Sequence, residues 1–157
     1  MREILIVGAG KSTAALIDYL LERAVEQNLK LKIGDKELEN AKNACRDRKH
    51  CEAIELDVFN KESREPAIQQ ADLVIYMLPA RFHIEVARDC VKYNKHMVTA
   101  SYISDEMRAL DEEAKKKNLV FMNEIGVDPG IDHMSAMQVI DRIRDKGGKI
   151  LLFESFT

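Results

Sequence analysis

The chain has 157 residues, enough for one ordinary domain with a sizeable core, and its 46% hydrophobic and 32% charged residues mark a globular rather than a disordered chain. A formal net charge of −3 with no long basic run argues against nucleic acid as the main partner, because phosphate binding needs a concentrated positive face. No apolar stretch approaches the ~20 residues of a membrane span, so no membrane partner is expected. The N-terminus enters a strand pattern at once and lacks the layout of a signal peptide.

Ile4-Leu5-Ile6-Val7 is a continuous, β-branched-rich run, as a strand buried on both faces requires. Ala14, Ile17, Leu21 and Ala24 then recur at helical spacing and make one apolar stripe. A second strand is predicted over 29–33, a short helix around Leu38, Ala41 and Cys45, a half-polar third strand over 53–56 and a helix over 62–70. The most hydrophobic run, from Leu73 to Leu78, predicts a central strand that Pro79 stops, since proline has no N–H to give to a ladder. A helix over 84–93, a strand over 96–100, a strongly charged helix over 105–117, a strand over 119–122 and a helix over 131–145 follow. Gly147-Gly148 breaks the last helix, and 149–156 is predicted to begin a further strand.

This alternation places the chain in the α/β class, as a doubly wound, mostly parallel Rossmann sheet with helices on both faces. Residues 1–147 are read as the nucleotide-binding domain and 148–157 as the start of a second, substrate-binding and dimerising domain; the chain reads as cut from something longer. The cysteines Cys45, Cys51 and Cys90 match neither a zinc site nor a disulfide framework, and are expected as reduced thiols of a cytoplasmic protein. The histidines His50, His83, His96 and His133 stand at no metal-like spacing, so no metal is expected.

The loop after the first strand carries the strongest chemistry. Gly8 permits a tight turn, and Gly10 lets the backbone approach a pyrophosphate with no Cβ in the way. Lys11, Ser12 and Thr13 then open a helix whose free N–H groups and positive dipole end face the phosphates. Thr13 stands where the third glycine of a dinucleotide fingerprint would be. Gly10-Lys11-Ser12 is also the end of a P-loop, but that motif needs a glycine where Leu5 sits inside the strand.

Asp35, at the end of the second strand, is placed to accept the adenosine ribose hydroxyls. It would repel a 2′-phosphate about 4 Å away by ~1 kcal/mol in water and ~4 kcal/mol at an effective dielectric near 20. The adjacent Lys36 offsets part of this, so NAD is expected over NADP, with NADP still possible. Asp35 as no more than a cap for the next helix is the bland alternative. Asp57-Val58 is expected beside the adenine, or as a plain acidic strand end. Leu78-Pro79-Ala80 is expected on the nicotinamide ribose side, or as a strand terminator.

Ser101-Tyr102 and the segment Gly126-Val127-Asp128-Pro129-Gly130-Ile131-Asp132-His133-Met134 follow the fifth and sixth strands. Both therefore fall at the carboxyl edge, where this architecture binds ligands. Pro129 fixes φ and Gly130 frees it, which holds Asp128 on a stiff turn before a helix.

The run from Asn123 to Met134 resembles a signature of the saccharopine dehydrogenase family, especially the glutamate-forming reductases. The similarity extends to Gly8-Ala9-Gly10, to Ala71-Asp72-Leu73-Val74-Ile75 with Leu78-Pro79-Ala80, to the stretch from Lys95-His96 to Ser101-Tyr102, and to Gly148-Lys149-Ile150. The resemblance implies an NAD(P)-dependent oxidoreductase, homodimeric when full length, that moves hydride to or from the C–N bond of an amino-acid-derived imine in lysine metabolism. It implies an amino-acid substrate lined by Ser101, Tyr102 and Asp128, with Asp128 as the catalytic candidate, holding the amino group or balancing an iminium charge. His133, in the first turn of a helix, is read as structural. A non-catalytic nucleotide-binding regulatory module, or an imine reductase acting on a polyamine precursor, are the competing readings.

Overall fold

The structure is a computed structural model that describes residues 1–79 and 82–156. It opens on β1 (Arg2–Val7), a 3₁₀ turn (Lys11–Thr13) and α1 (Ala14–Glu22), then β2 (Leu29–Asp35), α2 (Leu38–Cys45), β3 (Cys51–Glu55) and α3 (Lys61–Gln70). The second half runs β4 (Leu73–Tyr76), α4 (His83–Lys92), β5 (His96–Thr99), α5 (Asp105–Arg108), α6 (Asp111–Lys116), β6 (Phe121–Met122) and α7 (Ile131–Asp145). The strands form one sheet in the order β3-β2-β1-β4-β5-β6, and every pairing is parallel. This is the Rossmann order expected from the alternation of strand and helix.

The apolar run of β1 works on both faces because successive side chains point to opposite sides. Leu5 and Val7 join Val74, Tyr76 and Met97 under α3 and α4, where Ile68, Val86 and Ala87 complete one core cluster. Ile4 and Ile6 join Leu31, Ile33 and Ile75 under α1 and α2, where Ile17 and Ala41 complete the other. Leu5, Ile6, Leu31 and Ile33 are wholly buried, and each such side chain contributes ~1.5–3 kcal/mol of hydrophobic stabilisation. Arg64, only 5% exposed, donates from Nε to Asp89 Oδ2 (2.6 Å) and from Nη1 to the Val58 carbonyl. That buried fork ties α3 to α4 and pins the turn after β3.

Four expectations are corrected. The charged segment 105–117 is two helices, because Leu110 N–H donates to the Met107 carbonyl three residues back (3.1 Å) and tightens the chain there. Met107 and Ala114 are thereby buried and Leu110 packs on the core. The central strand stops at Tyr76, opposite Val7 at the end of β1; Met77 N–H donates to the Val7 carbonyl (2.9 Å) and the register goes no further. Residues 149–156 form no strand: no neighbouring strand offers a ladder, and Leu151, Leu152 and Phe156 stand in solvent. Cys45 and Cys51, expected as thiols, are joined by a disulfide that closes the α2–β3 turn with a Cα–Cα distance of 5.5 Å. The short turn that reverses the chain from the end of α2 into the start of β3 brings them together, which residue spacing does not reveal. Cys90 is the free, buried thiol, pushed up by burial in the core.

Candidate functional site

The expected site residues converge on the carboxyl edge of the sheet. Strand order reverses there between β1 and β4, and a crevice opens. Gly8 turns the chain off β1 with φ +104°, and a Cβ on it would come within 2.9 Å of Leu78 Cδ2. Only glycine suits both demands. Open space lies in front of Gly10, with nothing within 4 Å of where its Cβ would be, so the loop has room for a phosphate chain. Lys11 and Ser12 lead into α1 through the 3₁₀ turn, and the α-helix proper starts at Ala14 rather than Lys11.

Thr13 is 1% exposed, and its hydroxyl donates to the Gly8 carbonyl (3.2 Å) while its N–H donates to the Gly10 carbonyl (3.0 Å). It clasps the loop from behind rather than facing a ligand. The residue that breaks the glycine fingerprint is thus the one that stiffens this loop.

Asp35 lies at the ribose position but is engaged by the protein. Its carboxylate accepts from Ala9 N–H (2.9 Å), Glu37 N–H (3.0 Å) and Asn40 Nδ2 (3.2 Å), fastening the glycine loop to the end of β2. Lys36 turns away, with Nζ 3.3 Å from Asp57 Oδ2. The Asp57 carboxyl is held below its ordinary range, mainly by the Phe59 N–H and further by Lys36. Val58, expected beside a ligand, is 5% exposed and belongs to the core. Phe59, which sequence reasoning passed over, is the exposed group at this strand end, and its ring meets Phe82 edge-on at 4.7 Å. An exposed aromatic directly after a strand end was the available signal. Leu78 packs against the core beside Gly8; Ala80 lies outside the described residues.

A cavity of about 480 Å³ fills the crevice between the two halves. It is lined by Ser12 and Leu16 from the loop and α1, by Leu78 after β4, and by Ser101, Val127 and Ile131 from the later segments. The lining is mostly apolar, as suits a flat heteroaromatic ring. Glycine is again required at Gly130, with φ +149°, since a Cβ there would lie 2.2 Å from the Gly126 carbonyl oxygen. Gly126 N–H donates to the Pro129 carbonyl (2.9 Å) and Ile131 N–H to the Gly126 carbonyl (3.0 Å), so residues 126–131 make a closed knot at the head of α7. The Asp128–Pro129 peptide within it is cis.

From that knot the Asp128 carboxylate accepts the Tyr102 hydroxyl (2.8 Å), joining the two expected substrate loops. The bond to Asp128, with nearby negative charge, holds the Tyr102 phenol above its ordinary value and keeps it a proton donor. Glu124 supports the same loop from the other side by accepting Ile103 N–H (3.0 Å). Asp132 accepts Gly130 N–H (2.8 Å) and pairs with His133 Nδ1 (2.8 Å); the pairing pushes His133 up and Asp132 down. Asp128, Asp132 and His133 each place a ligand atom within 4.8 Å of the others. Histidine spacing alone gave no hint of this grouping. Sequence reasoning also missed Asp132 and Glu124, whose roles depend on contacts across loops.

Known proteins give this geometry a family. Residues 4–122 match the family model described as saccharopine dehydrogenase NADP binding domain, and residues 126–157 match the saccharopine dehydrogenase C-terminal domain. Saccharopine dehydrogenase [NADP(+), L-glutamate-forming] of Pyricularia oryzae is 36% identical over 99% of this chain and 34% of its own length. Alpha-aminoadipic semialdehyde synthase of Arabidopsis thaliana is 42% identical over 76% of this chain and 11% of its own length. The solved apo saccharopine dehydrogenase (L-Glu forming) of Saccharomyces cerevisiae superposes with a TM-score of 0.85 at 32% identity, over 96% of this chain and 33% of that one. The chain thus spans about a third of the length of the glutamate-forming relatives it matches. With the Rossmann sheet, the open glycine loop and the Tyr102–Asp128 knot in one chain, these matches establish that the protein belongs to the saccharopine dehydrogenase family.

Proposed function

We propose that this chain is the cofactor-binding part of a glutamate-forming saccharopine dehydrogenase, an oxidoreductase that acts on the C–N bond between glutamate and aminoadipate semialdehyde. The single observation that carries the reading is the shared wall of the crevice. The mostly apolar cavity beside the glycine loop is closed by the same segment that holds Asp128 against Tyr102. When bound, the dinucleotide supplies the hydride. The chain's own part is orientation and electrostatics. Gly10, Lys11 and Ser12 offer backbone N–H groups to the pyrophosphate, those of Gly8 and Ala9 being donated to the Gly34 carbonyl and to Asp35, and the cavity shields the ring from water. Asp128 holds the substrate's amino group, and Tyr102 keeps Asp128 aimed by donating its hydroxyl to that carboxylate.

The cofactor in this reading is NADP(H), the one printed in the family description and in the names of the glutamate-forming relatives. Asp35 alone favours NAD on electrostatic grounds. Three donors already bind its carboxylate, however, so it serves first as a clamp on the glycine loop. The rest of the substrate site belongs to a second domain, whose family model already matches residues 126–157, and the whole protein is a homodimer in the same reading. No helix among the described residues is long and apolar enough to cross a membrane.

The test is oxidation of saccharopine by the intact protein with NADP+ and NAD+, followed as reduced cofactor. Release of glutamate with faster turnover on NADP+ is expected. Tight dinucleotide binding with no turnover of saccharopine would favour the regulatory-module reading instead.

A further inference from the structure

The geometry points to a seat for the 2′-phosphate of NADP(H) made by Lys11 and Arg46, away from the usual position at the end of β2. This inference rests on the NADP(H) reading and names the residues that would set its specificity. A recess of about 190 Å³ lies between the glycine loop and α2, lined by Ala9, Gly10, Lys11, Asn40, Asn43 and Arg46. It abuts the Asp35 clamp, because Asn40 both lines the recess and donates to Asp35, and Ala9 does the same from the loop. The recess therefore borders the place that a ribose at Asp35 would occupy.

The charges there are arranged for a dianion. Among the described residues, Lys11 and Arg46 make no side-chain hydrogen bond or ion pair. The nearby cations are committed: Lys36 to Asp57 at 3.3 Å, and Arg48 to Asp18 and to the Ala44 carbonyl. Lys36, the cation that sequence alone would assign to the phosphate, is thus the one turned away. Lys11 lines the recess from the loop, and Asn43 and Arg46 line it from the last turn of α2 and its cap.

The backbone of Arg46 is held in place. It caps α2 in the left-handed region at φ 51°, its N–H donates to the Lys42 carbonyl (2.8 Å), and the Cys45–Cys51 bridge holds the turn beside it. The turn sets where the Arg46 side chain starts, and its guanidinium stays exposed and, among the described residues, unpaired, available to an anion. Arginine can also meet a phosphate through two parallel N–H donors.

Binding of NADPH and NADH to the intact protein, titrated by cofactor fluorescence, tests the seat. The unmodified protein is expected to prefer NADPH. Lys11→Gln and Arg46→Gln are each expected to lower the NADPH-to-NADH affinity ratio at least tenfold, and the double variant to bring it near one. Adenosine 2′-monophosphate should compete with NADPH in the unmodified protein and lose that competition in the double variant. An NADPH preference retained in the double variant would overturn the seat while leaving the cofactor reading intact, as would a preference lost on Lys36→Gln instead. A preference for NADH in the unmodified protein would also overturn the seat. Failure to bind either dinucleotide would instead sink the cofactor reading itself.

Discussion

The two edges of the crevice are built differently. On the glycine-loop side, Thr13 is bonded to Gly8 and Asp35 to Ala9 inside the chain, and the strands behind them are buried on both faces. On the Asp128 side, α7 has no buried residue, and Ile131, Met134, Met137 and Val139 stand exposed along it. One edge is a finished tool and the other is a surface. The proposed cofactor edge is therefore closed by contacts within these residues, whereas the proposed substrate edge stands exposed. The C-terminal-domain match that takes in α7 from residue 126 fits the same division.

The largest expected effect comes from breaking the finished edge. Gly8→Val puts a β-branched residue at φ +104° with its Cβ against Leu78 and the Met77 backbone. Strain of this kind costs on the order of 1–3 kcal/mol before any clash is counted. NADPH binding should be lost and the thermal midpoint should fall by several degrees. Gly130→Ala is the matching break on the other edge, with its Cβ 2.2 Å from the Gly126 carbonyl. It should dismantle the Asp128–Tyr102 knot and abolish turnover while cofactor affinity changes less than tenfold. Equal loss of cofactor binding in both variants would mean that the edges are not separate.

A smaller effect sharpens the role of Asp35. Asp35→Ala strands the Ala9 and Glu37 N–H groups, each worth ~1–1.5 kcal/mol as partners of a charged acceptor near the surface. Affinity for NADPH and NADH should fall together, by roughly tenfold, because the loop itself loosens. If NADPH binding instead improves while NADH binding weakens, Asp35 acts by repelling phosphate, as its position in the sequence first suggests.

The difference between the edges also explains what the sequence could tell. The runs Ile4-Leu5-Ile6-Val7 and Leu73 to Tyr76 are so apolar that only a doubly covered parallel sheet accommodates them, and Gly8 and Gly10 mark the loop that follows. Asp128 and Tyr102 were legible through the family pattern around Pro129-Gly130. Interactions across elements were not legible: the Thr13 clasp, the Lys36–Asp57 pair, the burial of Val58, and the Cys45–Cys51 bridge. None leaves a periodic mark, because each depends on where two chain segments meet. The strand expected at 149–156 failed for the same reason, as alternation sets which face a residue takes but cannot supply a neighbour to pair with.

The smallest effect lies on the unfinished edge, in the exposed His133–Asp132 pair. Its partner raises the His133 pKa, so protonated His133 contributes stability that is fully present below the unfolded value near 6.5 and is lost as pH rises through the raised folded value. Its partner lowers the Asp132 pKa, so that carboxylate's contribution is present above the unfolded value and lost as pH falls through the lowered one. The pair is therefore complete only between those two limits, in the mildly acidic range. Because both groups are solvated, salt should screen it. The thermal midpoint of the unmodified protein should exceed that of His133→Gln slightly at pH 5.5 and match it at pH 8.5, and 0.5 M salt should shrink the difference at the lower pH. A gap that persists at pH 8.5 would show that neutral His133 acts by packing, and would move it from the surface edge to the finished one.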